Sequence, residues 1–127
     1  MAQDAVSRTL KFFSENGLEK PERRVLPHGE KGYTIHDALE AAFFELGGEK
    51  FAQALITTDP ELAAWGLYAA YPRLKPQDVR RITRFIGNKK DTRAAGWLLD
   101  RRILLAERDL WWLAKTAGRL TQWGFPE

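Results

Sequence analysis

Apolar residues recur along this 127-residue chain at spacings of three and four, the rhythm of α-helices with one buried face. In residues 4–16, Val6, Leu10 and Phe13 share a stripe, and Asn16-Gly17 supplies a stop. Residues 18–33 interrupt the rhythm with Pro21, Pro27, Gly29 and Gly32, which predicts a linker or surface loop. Thr34 then has the chemistry of a helix N-cap, with Asp37 three residues on. Behind it, Ile35, Ala38, Leu39, Ala42, Phe43 and Leu46 mark a buried face that ends at Gly47-Gly48. A short helix follows with Phe51, Leu55 and Ile56 inward. Asp59-Pro60 restarts the chain, an acceptor at the cap and proline in the first turn, with Leu62, Trp65 and Ala69 inward as far as Pro72. Pro76 opens another helix. Its inner stripe is Val79, Ile82, Phe85 and Ile86, with Arg80, Arg81 and Arg84 on the other side and Gly87-Asn88 at its end.

Asp91 caps the last segment, and no proline interrupts it up to about residue 122. Leu99, Ile103, Ala106, Leu110, Leu113, Ala117 and Leu120 lie on a 4-3-4-3-4-3 seam, which predicts one long helix from about residue 92 to 122. Leu98, Leu105 and Trp112 widen the seam on one side, and Leu104 and Trp111 widen it on the other. That stripe is broader than a two-stranded coiled coil needs, so the helix reads as the centre of a bundle. Gly96 and Gly118 each cost about 1 kcal/mol relative to alanine in a helix, and mark a close approach or a break. The fold expected is all-α: a single domain, residues 1–127, of about six helices around the long C-terminal one.

Composition adds bounds. The chain is 44% hydrophobic with five Trp and seven Phe, enough for one packed core. It has no cysteine, which excludes disulfides and thiolate metal sites and fits a reducing compartment. No apolar run approaches the roughly 20 residues of a membrane span. The start, "MAQDAVSRTLKFF", lacks the basic-then-apolar order of a signal peptide, so a cytoplasmic protein away from membranes is expected.

Charge changes the picture more. Residues 1–70 hold seven Lys/Arg and eleven Asp/Glu, a net of −4, whereas residues 71–127 hold thirteen and six, a net of +7. The stretch "RRITRFIGNKKDTR", residues 80–93, carries six basic side chains and one acid. Arg80 and Arg84 are one turn apart, Arg81 lies beside them, and Lys89, Lys90 and Arg93 occupy the turn and the next helix start. A helix N-terminus offers free N–H donors and a positive dipole end, and these side chains add full charges, an arrangement that attracts phosphate. Helix, Gly-containing turn and helix also match the outline of a helix-turn-helix, whose second helix would present Thr92, Arg93 and Gly96 to a groove. The expectation is nucleic-acid binding through Arg80, Arg81, Arg84, Lys89, Lys90 and Arg93. It requires the positive side chains between Arg73 and Arg102 to converge on one exposed surface. The ordinary alternative is a solvated outer face.

Other chemistry is sparse. His28 and His36 are the only histidines, with no H-x-x-x-H or H-E-x-x-H spacing, so neither a metal nor a cofactor is implied. Pairs such as Asp37/Glu40 and Glu107/Asp109 are ordinary for solvated helices. Ser7 and Ser14 are the only serines, neither in a nucleophile elbow, and no Gly-rich phosphate cradle is present. The chain reads as non-enzymatic. A second lead is the tail, "LWWLAKTAGRLTQWGFPE", where Trp111, Trp112, Trp123 and Phe125 either close the bundle as core or mark a subunit or partner interface. Arg108, three and four residues from the paired tryptophans, could cover one of them by a cation–π contact. A protein-interaction module, an inhibitor or adaptor using this tail or the acidic N-terminal helices, is the alternative to nucleic-acid binding.

The stretch "DALEAAFFELGGEKFAQALITTDPELAAWGLYAAYPRLKPQDV", residues 37–79, resembles small phage-encoded proteins near the small subunit of phage terminase. There, too, a helix ending in "LGG" leads to a short helix, a "DP"-started helix and an "LxP" element. "DTRAAGWLLDRR", residues 91–102, is similar to segments of the same proteins. The resemblance covers under half of the chain and implies an oligomeric, helical, DNA-binding accessory protein of packaging or regulation, without catalysis of its own.

Overall fold

Five of the seven helices among the described residues start where the sequence offers an acceptor or a proline. A computed structural model describes residues 4–126. Asp4 caps α1 (Ala5–Glu15), accepting from the Ser7 N–H at 2.7 Å. Thr34 caps α2 (Ile35–Leu46) through the Asp37 N–H. α3 (Gly48–Leu55) follows at once. Asp59 caps α4 (Pro60–Ala70) through the Leu62 N–H. α5 (Pro76–Asn88) opens on its proline, and Asp91 caps α6 (Thr92–Asp100) through the Ala94 N–H. α7 (Glu107–Ala117) and a 3-10 turn (Thr121–Trp123) complete the described chain. The all-α bundle expected from the periodicity is the fold observed, with seven helices among the described residues.

The loop at 18–33 is not wholly irregular. It holds a two-stranded antiparallel ribbon, β1 (Arg24–Val25) and β2 (Lys31–Gly32), paired Arg24 to Gly32 and Val25 to Lys31. Gly29, at φ +92°, turns the chain between the strands. Two-residue strands are too short for any alternation to register in the sequence.

One apolar core joins the helices. Phe12 from α1, Phe43 from α2 and Phe51 from α3 meet edge to face, with Phe51 centroids 6.3 Å and 5.7 Å from the other two. α4 runs through the middle: Leu62, Ala63, Leu67 and Ala70 are all buried, and it packs against α2, α5 and α6. Gly66 lets α4 approach α3, because a Cβ there would lie 2.5 Å from the Leu55 side chain. Ile82 and Ile86 of α5, Leu98 and Leu99 of α6 and Leu113 of α7 fill the remainder.

The long C-terminal helix is corrected: residues 92–122 form two helices and a turn. α6 stops at Asp100, and Arg102 takes a left-handed conformation at φ +52°, its N–H donating to the Leu99 carbonyl at 3.1 Å. Ile103 is buried while Leu104 points outward at 88% exposure. Glu107 and Asp109 then open α7, where acids favour the helix start. α7 itself ends at Gly118, in the left-handed conformation with φ +70°. The width of the apolar stripe explains the break. A straight helix would leave part of that stripe in water, whereas two short helices pack against each other and bury Leu98, Leu99, Ile103 and Leu113. Gly96 leaves room for the Arg119 side chain, since a Cβ there would sit 3.1 Å from its guanidinium. Arg119 in turn pairs with Asp100 at 2.8 Å and ties the end of the hairpin.

Candidate nucleic-acid interface

α5 and α7 lie side by side in the same sense. Arg80 and Arg84 stand opposite Arg108 and Trp111; further along, Gly87 and Lys90 stand opposite Trp112, Lys115 and Thr116. Two hollows open along this seam. The first, about 390 Å³, is lined by Arg80, Thr83, Arg84, Arg108, Asp109, Trp111 and Trp112. The second, about 480 Å³, is lined by Gly87, Asn88, Lys90, Thr92, Trp112, Lys115 and Thr116. Trp112 is the wall between them.

The floor is locked from below. Thr83 and Asp109 are buried and joined by a 3.2 Å hydrogen bond, the threonine hydroxyl donating to the carboxylate. The Trp112 indole is seated against Gly87, where any Cβ would collide with the ring edge that bears Nε1. Trp112 Nε1 and Arg80 Nε are both buried with no hydrogen-bond partner in the chain. Trp111 and Trp112 are half-buried, 5.8 Å apart and tilted by 38°. Lys115 Nζ sits 5.0 Å and 5.9 Å from their ring centroids.

The cations expected to act together are therefore divided. Arg80 and Arg84 share the first hollow, and Lys90 lies at the second. Arg81 turns the other way on α5, 4.0 Å from the buried Asp78 carboxylate. Lys89 rests 5.8 Å from the Phe85 ring centroid. Arg93 is outside the groove, in a separate hollow of about 380 Å³ with Glu61, Trp65, Asp91 and Trp97. Arg73 pairs with Glu40 at 3.3 Å, and Arg101 lies 4.5 Å over Trp97. The positive side chains from Arg73 to Arg102 thus face several directions. Gly96 cannot face a groove either, because it is buried beneath Arg119.

The aromatic tail divides as well. Trp123 and Phe125 pack against the core, whereas Trp111 and Trp112 belong to the α5–α7 groove. The cation over the pair is Lys115, not Arg108. Side chains lean toward the N-terminal end of their helix, so a residue three or four positions later reaches back over a ring and an earlier one leans away. Arg108 contributes instead to the first hollow. The sequence offered the signal for Lys115, at i+3 and i+4 from the two tryptophans, but it lies outside the basic run at residues 80–93.

Among the described residues no group of three or more His, Asp or Glu side chains is placed to hold a metal ion. No helix among them is long and apolar enough to cross a membrane. Comparison with family models, curated proteins and solved structures returns no match to this chain. What defines the molecule is thus its own geometry: an all-α bundle with a cation-lined, tryptophan-walled groove between α5 and α7.

Proposed function

We propose that this protein is a non-enzymatic accessory protein that binds nucleic acid through phosphate contacts in the α5–α7 groove. The observation that supports it is the gathering of Arg80, Arg84 and Arg108 around one hollow whose single carboxylate, Asp109, is already buried against Thr83. Lys90 and Lys115 extend the positive line past Trp112. Arg81, Lys89 and Arg93 are not in the groove and act on phosphate only at longer range. Handling of phage DNA, in packaging or regulation, is the setting that the resemblance of residues 37–79 suggests.

The test is binding of a stem-loop oligonucleotide, which offers both paired and unpaired segments, to wild type and to Arg80→Glu/Arg84→Glu. Phosphate contacts release counterions, so the wild type should lose affinity steeply between about 50 and 200 mM salt. The double variant should bind at least about tenfold more weakly and with a shallower salt slope. Salt-insensitive binding, or no loss in the double variant, overturns the reading.

A second reading has one observation in its favour. Phe44 on α2 is 62% exposed in the acidic half of the chain, with Arg73 5.2 Å from its ring. Exposed aromatics are characteristic of interface centres, so a protein partner at this face is the alternative function.

A further inference from the structure

Phosphate contacts alone do not need the tryptophans. Trp111 and Trp112 stand outside the apolar core, yet Trp112 is held in place by the Gly87 notch, and Trp111 lies 5.8 Å from it. An aromatic wall between two hollows of about 390 and 480 Å³ gives each hollow room for a flat ring beside an indole. Cations flank both hollows, Arg80, Arg84 and Arg108 at one end and Lys90 and Lys115 at the other. The stretch of α5 from Arg80 to Asn88 is about 12 Å long at the rise of an α-helix, and Lys90 lies just beyond its end.

We infer that this groove takes single-stranded nucleic acid, with unpaired bases stacked on the Trp111–Trp112 pair and their phosphates on the flanking arginines and lysines. The inference rests on the nucleic-acid reading above and names its substrate class. A positive groove with aromatic platforms is the arrangement that binds single strands without regard to sequence, because every base has a stacking face. In a duplex those faces are covered by neighbouring pairs, and only the phosphates remain within reach. Lys115 lies over the rings but is a long, exposed side chain, so it turns from ring to phosphate without any change of fold.

The experiment compares labelled oligo(dT), oligo(U) and a duplex of equal length, by anisotropy at one salt concentration, against wild type, Trp111→Ala and Trp111→Phe. A single strand should bind about tenfold more tightly than the duplex and quench tryptophan fluorescence; the tighter of the two strands tells DNA from RNA. Trp111→Ala should lose about that factor for single strands alone, while Trp111→Phe retains most of it. Should Trp111→Ala fail to fold, fluorescence quenching and the single-strand preference of wild type and Trp111→Phe decide the matter. Equal affinity for duplex and single strand, unchanged in Trp111→Ala, removes the stacking inference and leaves phosphate binding standing. No binding to any of the three removes both. Self-association in light scattering that Trp111→Ala abolishes overturns the inference in favour of a subunit interface.

Discussion

Gly87 and Trp112 show how a single missing Cβ shapes the groove. The indole edge occupies the space that any other residue at 87 would fill. Gly87→Ala gains about 1 kcal/mol of helix propensity but forces an over-packing cost of about 1–3 kcal/mol unless the indole leaves its seat. The expected outcome is a net loss of about 1 kcal/mol in denaturant unfolding, with a red-shifted tryptophan emission as the ring moves toward water. Unchanged emission and raised stability would show that Trp112 is not held there. The sequence made Gly87 legible only as half of a Gly-Asn helix stop. In the structure α5 runs one residue past it, and the stop is made by Lys90 at φ +54°, with its N–H on the Gly87 carbonyl and the Asp91 N–H on that of Ile86. The glycine serves packing and the lysine serves the turn.

At the scale of the element, the break between α6 and α7 is the decisive event. Arg102 holds a left-handed conformation that costs an L-residue about 1–2 kcal/mol, so Arg102→Gly relieves strain there. Glycine also loosens the unfolded chain by about 0.4–1 kcal/mol, which leaves a net gain of up to about 1.5 kcal/mol. Were residues 92–122 one straight helix, the same substitution would cost about 1 kcal/mol instead. The sign of the shift in the urea midpoint therefore distinguishes the two architectures. The other helices were legible because acceptors, prolines and glycines punctuate them: Thr34, Asp59-Pro60, Pro76 and Asp91 all stand where the structure starts a helix. The α6–α7 turn lacks such punctuation. Its residues keep helical periodicity, and only the surplus width of the apolar stripe hints that it must fold back.

Across the whole molecule, stability and charge are organised separately. The acidic N-terminal half is braced by pairs such as Arg8 with Asp59 and Glu61, at 3.2 and 3.0 Å, while the basic groove gathers Arg80, Arg84 and Arg108 around one hollow. Tyr33, between β2 and α2, packs on the core with its hydroxyl buried and without a hydrogen-bond partner. Burial pushes its pKa above the ordinary value of 10, the nearby Asp4 adding to the rise and Arg23 opposing it. The folded state then keeps the Tyr33 proton to higher pH than the unfolded state does, so this group withdraws stability as pH rises above 10. Global unfolding followed from pH 8 to about 11.5 should show that decline, and Tyr33→Phe should flatten it while leaving neutral-pH stability equal or higher, since no hydrogen bond is lost. An equal decline in the variant would place the alkaline sensitivity elsewhere.

Local rules in the sequence determined that this chain is helical, where most helices begin, and which residues are oily enough to be buried, because capping and periodicity act within a few neighbours. The direction in which each charge points was decided only by the packed bundle. Arg80, Arg81 and Arg84 lie within five residues, yet Arg80 and Arg84 face α7, whereas Arg81, turned about 100° from Arg80 around α5, faces Asp78. Arg108, Trp111, Trp112 and Lys115 joined Arg80 and Arg84 because α6 folded back and laid α7 along α5. A surface built from two segments about 30 residues apart exists only once the apolar faces between them have met.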